Sequence, residues 1–540
     1  MSTMVQSGRS GGCFVVGATS PREVTPAQVG VKAFNLMMMS EAGLSIPPAF
    51  VLGTRSCQEV LAAGGCLGDL LVADVAAGIG EIERRTGRQF GAGRRPLLVS
   101  VRSGAAVSMP GMLETVLNVG LSETTLPGLL RSTGNPTFVW DSYRRLIQAY
   151  AEVVEGCPAA PFARVLADAM VRSAAPTPDE LDVAALNEVV QDELAVFESI
   201  VGRPFPQEPN EQLLGTVAAV FRSWSSPRAV NYRELHGVTD LVGTGVTVQA
   251  MVFGNTGVAS GAGVAFSRDP STGENRLFVD FILNAQGEDV VAGRHRADQS
   301  DQSIAAVPGL AHALQGARRR LEGLFRDAQD FEFTVQEGRL WILQTRTAKR
   351  TPWAELRISC DLVDEGIIDV PTALERLHPY ALDAISHLRL ADEHEAKVLG
   401  RGTGASDGVV GGRIALTIDA VRRYSEAGDP VVLVRDEAST SDIGSLAICR
   451  GFVTATGART AHAVVVARQL GLACVVGCGG LSVDISGGSI QLGDTVLREG
   501  DRVTVDGAHG LVYGGDLEVV EERPEDLIRR VGEWRAGPSG

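Results

Sequence analysis

The chain has 540 residues, 44% of them hydrophobic and 21% charged, with a formal net charge of −16. That length exceeds what one hydrophobic core sustains, so two to four domains are expected, and the composition excludes a disordered chain. The acidic balance excludes nucleic acid and an anionic membrane surface as natural partners, and no apolar run reaches the ~18 residues that span a bilayer. Met1 to Ser20 lacks the order of a signal peptide, so a cytoplasmic protein is expected. Eight cysteines spread along the chain give no disulfide framework. Cys474 and Cys478 sit in an apolar run without a second pair and read as buried hydrophobes, while Arg318 to Arg320 read as a solvated helix face.

In chain order, residues 1–350 alternate β-branched runs with helical patterns, the rhythm of an α/β or α+β unit. Strands are predicted at Pro96 to Val101, Gly245 to Val252, Arg276 to Phe281 and Arg339 to Gln344. Apolar residues at helical spacing run from Phe138 to about Ile200 and predict a helical insertion over about 115–225. Residues 351–405 read as a helical linker, and the Gly-rich stretch Gly400 to Gly408 as a flexible hinge. Short strands such as Pro430 to Arg435 and Gly451 to Thr454 then mark a smaller domain over 406–522, and 523–540 read as a tail.

The sharpest local pattern lies between Thr454 and Gly471, where a strand, a Gly-containing turn, Thr460, His462 and an amphipathic helix with a Gly stop follow one another. A histidine in the first turn of a helix sits where free N–H groups and the positive dipole end favour phosphate, and an imidazole there can carry a phosphoryl group. A structural, hydrogen-bonding histidine is the plain alternative.

The same segment resembles the phosphohistidine motif of the phosphoenolpyruvate-utilising enzymes, with His462 on the phosphorylated position. Leu97 to Met112, Val248 to Gly254, Ser260 to Gly273, Asn284 to Gly293 and Phe331 to Gln344 are similar to the pyruvate phosphate dikinase branch, a likeness extending over about residues 28–520. The resemblance implies an α+β / α/β multidomain fold: an ATP-grasp nucleotide-binding domain over 1–350 with its helical insertion, then a swivelling β/β/α phosphohistidine domain over 406–522. It also implies ATP and Mg²⁺ as cofactors. Lys32, in a Gly-Val-Lys version of the family's Gly-Gly-Lys, would contact phosphates. Arg102 and Arg346 would stabilise charge on the transferring phosphoryl group. Ser103 to Ala106 with Gly104, and Met109 to Gly111, would form a phosphate flap or a plain turn. Gln249 to Met251 would line adenine or serve as core strand. Asp330 and Gln344 would complete the nucleotide end. Asp280, which replaces the usual Glu, together with Glu288, Glu332 and Gln344 would bind the metal. Relative to the family motif, Thr456, Ala458 and Ala461 replace an arginine, a glycine and a hydroxyl residue, whereas Thr460 is retained to bond the imidazole or cap the helix.

The family continues into a barrel that binds pyruvate or phosphoenolpyruvate. Nothing up to Gly540 resembles it, so the acceptor half is expected outside this chain. Three functions follow from the resemblance. The first is a phosphotransferase that loads His462 from ATP, releases AMP, hands one phosphoryl group to inorganic phosphate or water, and passes the other to pyruvate on a separate barrel protein. The second is a dikinase acting on a small molecule between its own domains. The third is a non-catalytic ATP-binding regulator.

Overall fold

The computed structural model describes residues 12–107, 109, 114–235, 237–238, 241–287, 290, 300–391, 397–438, 442–457 and 462–536. The chain divides after Val252 into two compact units.

The first unit is built on a five-stranded antiparallel sheet. Its strands are β1 (Cys13–Val15), β2 (Ala49–Leu52), β5 (Val99–Ala105), β6 (Thr115–Val119) and β7 (Thr244–Ala250), in the order β1-β2-β7-β5-β6. A short parallel pair, β3 (Gln89–Phe90) and β4 (Pro96–Leu97), precedes β5. All seven residues of β7 are buried, which is why it reads as an unbroken small and β-branched run instead of an alternating one. The helical portion begins at Leu126, because residues 115–119 form an edge strand of the sheet and not the start of an insertion. Its main helices are Pro136–Val153, Ala160–Ser173 and Val183–Val201. Asn135 and Asp182 cap two of them by accepting the Phe138 and Ala185 N–H groups. Tyr143, Tyr150 and Phe197 stack edge-on or tilted around Phe205 and one another, which fixes how the first and third of these helices pack.

The second unit opens with a four-stranded antiparallel sheet: β8 (Gly261–Phe266), β9 (Phe278–Leu283), β10 (Gln329–Gln336) and β11 (Arg339–Thr347), in the order β11-β10-β8-β9. Helices Pro352–Asp364 and Val370–Leu377 cover one end of it through Phe266, Phe278 and Ile358. The predicted tail is instead helix Glu525–Ala536. It is held because Val531, fully buried, packs with Leu356, Cys360 and Leu377.

Next comes a ribbon of β12 (His387–Leu390) with β23 (Val519–Glu522) and a closed barrel. The barrel comprises β13 (Val398–Ser406), β14 (Val409–Ala415), β15 (Val431–Arg435), β16 (Gly451–Thr454), β17 (Ala473–Gly479), β21 (Arg502–Asp506) and β22 (Leu511–Gly514). A three-stranded flap, β18 (Leu481–Asp484), β19 (Ser489–Leu492) and β20 (Thr495–Arg498), lies between β17 and β21 in the chain. One apolar cluster around Val432, Val475 and Val505 fills the barrel, and a second around Leu433, Phe452 and Cys474 packs its helices.

The expected hinge at Gly400 to Gly408 is corrected by the barrel, since residues 398–406 are strand β13, paired with β17 and β22. Its glycines serve close packing. A Cβ on Gly400 would lie 2.7 Å from Leu492 Cδ2, one on Gly402 would lie 2.7 Å from the Val476 carbonyl oxygen, and one on Gly404 would lie 2.5 Å from that of Gly507.

Candidate active site

In the first unit the sequence-predicted residues gather where helix Val31–Glu41 starts against β5. Gly30, at φ +84°, precedes the helix, and a Cβ there would fall 2.0 Å from the Gly104 carbonyl oxygen, so only glycine permits this approach. The approach sets Lys32 beside Gly104, its Cβ 3.9 Å from where a Gly104 Cβ would stand. Arg102 and Gly104 pair with Thr247 and Gly245, and Ser100 with Gln249, so all six side-chain positions share one face of the sheet. The Arg102 Nε is buried and has no hydrogen-bond partner among the described residues, a donor in want of an acceptor. Gln249 is 2% exposed and its Nε2 donates to the Pro47 carbonyl at 3.3 Å, which commits that side chain to the core strand. Met251, just past β7 and half-buried, donates its N–H to the Leu98 carbonyl at 2.9 Å.

In the second unit, strand register does what the sequence alone does not reveal. Arg346 faces Asp330 and Gln344 faces Glu332 across β11 and β10, and Glu332 and Asp280 flank Val264 of β8. Asp280, Asp330, Glu332, Gln344 and Arg346 therefore occupy one face of one sheet. The Arg346 Nε donates to Asp330 Oδ2 at 2.7 Å, and the Gln344 Nε2 to Glu332 Oε1 at 3.5 Å. Asp330 is 4% exposed. Burial raises its carboxyl above the usual range, the Arg346 guanidinium pulls it back, Glu332 pushes it up again, and Arg468 lowers it.

Asp280 and Glu332 lie one strand apart on either side of β8. No three His, Cys, Asp or Glu among the described residues cluster closely enough to hold a metal by themselves. Two hard carboxylates that need further oxygen donors suit Mg²⁺, which is commonly held by one or two carboxylates together with substrate phosphates.

His462 is the first residue of helix His462–Gln469, which follows β16. Ala463, Val464 and Ala467 bury the apolar face of this helix against the barrel. The first turn of a helix is where free N–H groups and the dipole favour phosphate. Gly111, Glu288 and Thr460 lie outside the described residues.

One residue without a role in the sequence reading emerges here. Arg468, on the His462 helix, is 1% exposed, and its guanidinium lies 5.5 Å from the Phe266 ring centre. Its signal in the sequence was a full charge on the same helical stripe as Val464.

The family model described as "Pyruvate phosphate dikinase, AMP/ATP-binding domain" matches residues 69–306, and "PEP-utilising enzyme, mobile domain" matches residues 427–510. The chain is 41% identical over 510 residues to the pyruvate, phosphate dikinase of Clostridium symbiosum and 40% identical over 520 residues to that of Rhizobium meliloti (strain 1021). It is also 41% identical over 490 residues to pyruvate, phosphate dikinase 2 of Zea mays. These alignments take in 94%, 94% and 90% of this chain but only 58%, 58% and 55% of the relatives, so the chain spans less than two-thirds of their length. The mixed α/β architecture, a nucleotide-binding part followed by a mobile-domain part, is that of the phosphoenolpyruvate-utilising proteins. Within that class the chain is similar to the pyruvate phosphate dikinases over nearly all of its own length.

Proposed function

We propose that the chain is an ATP-dependent phosphotransferase in which residues 1–350 form an ATP-grasp nucleotide-binding domain and the barrel is a swivelling carrier for phosphohistidine. The observation that supports this reading most strongly is the common sheet face of Asp280, Asp330, Glu332, Gln344 and Arg346. It joins carboxylates for a hard cation to a guanidinium for phosphate oxygens.

In this reading Lys32 and Arg102 hold the phosphates from the first unit, where the unpartnered Arg102 Nε supports such a role. Met251 lies along the adenine. Asp280, Glu332 and Gln344, joined by Glu288, hold Mg²⁺, which when bound neutralises phosphate charge and orients the chain of phosphates.

The His462 imidazole, neutral, attacks the β-phosphorus through its lone-pair nitrogen. A P–N bond forms, the bond from the β-phosphorus to the α–β bridging oxygen breaks, and AMP leaves with that oxygen. Arg346 and Arg102 offset the charge that develops as the bond breaks. Thr460 bonds the ring or caps the helix. The terminal phosphoryl group passes to inorganic phosphate or water. The remaining one goes to pyruvate, held by a barrel outside these two domains or on a separate protein.

His462→Ala is expected to abolish transfer of label from β-labelled ATP to the protein while ATP binding persists. Label retained by that variant ends the reading.

A further inference from the structure

We infer that Arg468 is a positioning residue that latches the His462 helix to the nucleotide-binding sheet by sharing Asp330 with Arg346. The inference rests on the phosphotransfer reading and deepens it, by naming what brings the carrier histidine to the site.

Three observations carry it. First, a fully buried arginine is expensive unless its charge is met, and Arg468 is one of the largest fully buried side chains described. Second, its Nε donates to the Ala405 carbonyl of β13 at 2.8 Å, which ties the base of the guanidinium to the barrel that carries His462. Third, the guanidinium extends out of that barrel to the Phe266 ring at the end of β8, and Phe266 is the cross-strand partner of Asp330. A cation of the carrier domain is thereby set at the cross-strand neighbour of the buried carboxylate of the nucleotide sheet. An arginine within about 6 Å of an aromatic ring centre is attracted to the ring face, and it gains this attraction only while the two parts are docked.

Asp330 already receives the Arg346 Nε at 2.7 Å, and the Arg346 side chain keeps 38% of its exposure. Arg468, held at the Phe266 ring, lowers the same carboxyl from longer range, so two guanidiniums act on one carboxylate from two different parts of the unit. Phosphate oxygens attract a half-exposed arginine. As Arg346 turns to bound nucleotide, Asp330 is left to Arg468 and the docked position tightens. When the nucleotide leaves, Arg346 reclaims the carboxylate and the helix is released with its phosphoryl group. Loading and docking are coupled through one side chain.

The test compares the wild-type protein with Arg468→Met, which keeps the stem and loses the charge, and with Arg468→Lys, which keeps the charge. Three properties are read: equilibrium binding of Mg-ATP, the single-turnover rate of labelling from β-labelled ATP at saturating nucleotide, and contraction in small-angle scattering on adding α,β-methylene ATP with Mg²⁺. Arg468→Met is expected to bind Mg-ATP within about twofold of wild type, to label at least about tenfold more slowly, and not to contract, with Arg468→Lys recovering part of both losses. Phe266→Leu alters the other side of the contact and leaves the barrel's own packing untouched; it should slow labelling in the same direction if loss of the latch, and not barrel misfolding, is the cause. Labelling and contraction of Arg468→Met at wild-type levels overturn the latch and leave the phosphotransfer reading standing. No labelling of the wild-type protein overturns phosphotransfer, and the scattering comparison then still decides whether Arg468 holds the docked state.

Discussion

Glu193 offers a prediction whose size follows from the structure. It is 0% exposed on helix Val183–Val201, and neither carboxylate oxygen has a hydrogen-bond partner among the described residues. Its nearest cation, Arg144, stands 3.9 Å away and is already engaged by Asp141 at 2.9 Å and Gln148 at 3.4 Å. Burial pushes the Glu193 carboxyl from 4.5 up to about 8, Arg144 opposes the rise, and Asp141 adds to it. The folded chain then holds a proton at Glu193 that the unfolded chain gives up above about pH 4.5. Stability falls as pH rises through the window between 4.5 and about 8 and levels off above it. At ~1.4 kcal/mol per tenfold change in proton concentration, the full effect is on the order of 5 kcal/mol. Glu193→Gln replaces the carboxyl with a neutral group of the same shape. In chemical denaturation followed by helical circular dichroism at pH 5, 6.5 and 8, the variant should lose markedly less stability over this range than the wild type, by several kcal/mol at pH 8. Comparing the two proteins cancels the contribution of every other carboxylate. Parallel pH curves for both would refute the assignment of a buried, protonated Glu193.

Two further outcomes are expected. Arg346→Ala should lower the single-turnover labelling rate by ~10²-fold or more while raising the Kd for Mg-ATP far less, because in the proposed reaction its charge is needed most as the bond to the β-phosphorus breaks; equal losses in rate and affinity would assign it to ground-state binding alone. Gly402→Ala places a Cβ 2.7 Å from the Val476 carbonyl oxygen and 2.9 Å from Cys478 Cα. Barrel stability in a denaturant titration should therefore fall by ~1–3 kcal/mol, whereas a true hinge glycine would give an unchanged or higher midpoint.

Part of the candidate site's geometry is legible in the sequence because strand alternation is a local rule. Asp330 and Glu332 are two residues apart, as are Gln344 and Arg346, so each pair shares a face once β10 and β11 are read as strands. That Asp280 joins them depends on the order β11-β10-β8-β9, which places β8 between strands that follow it in the chain. Local pattern does not encode such an order. The Gly-rich stretch at 400–408 departs from the expected hinge for a similar reason. Composition alone cannot distinguish glycine that frees the backbone from glycine that admits a close neighbour, and the neighbours Leu492, Val476 and Gly507 lie far along the chain. Helix Glu525–Ala536 reads as a charged tail until Val531 meets Leu356 and Cys360. Arg468 was visible as a charge on an apolar helical face, yet its partner Phe266 belongs to a different part of the fold.

The most direct measurement is mass spectrometry at alkaline pH, which preserves phosphohistidine, on the protein after incubation with ATP and Mg²⁺. A phosphoryl group on the peptide containing His462, dependent on Mg²⁺ and lost on acid treatment, is the predicted result. A histidine that stays unmodified while ATP is bound would contradict the proposal that this imidazole carries the phosphoryl group.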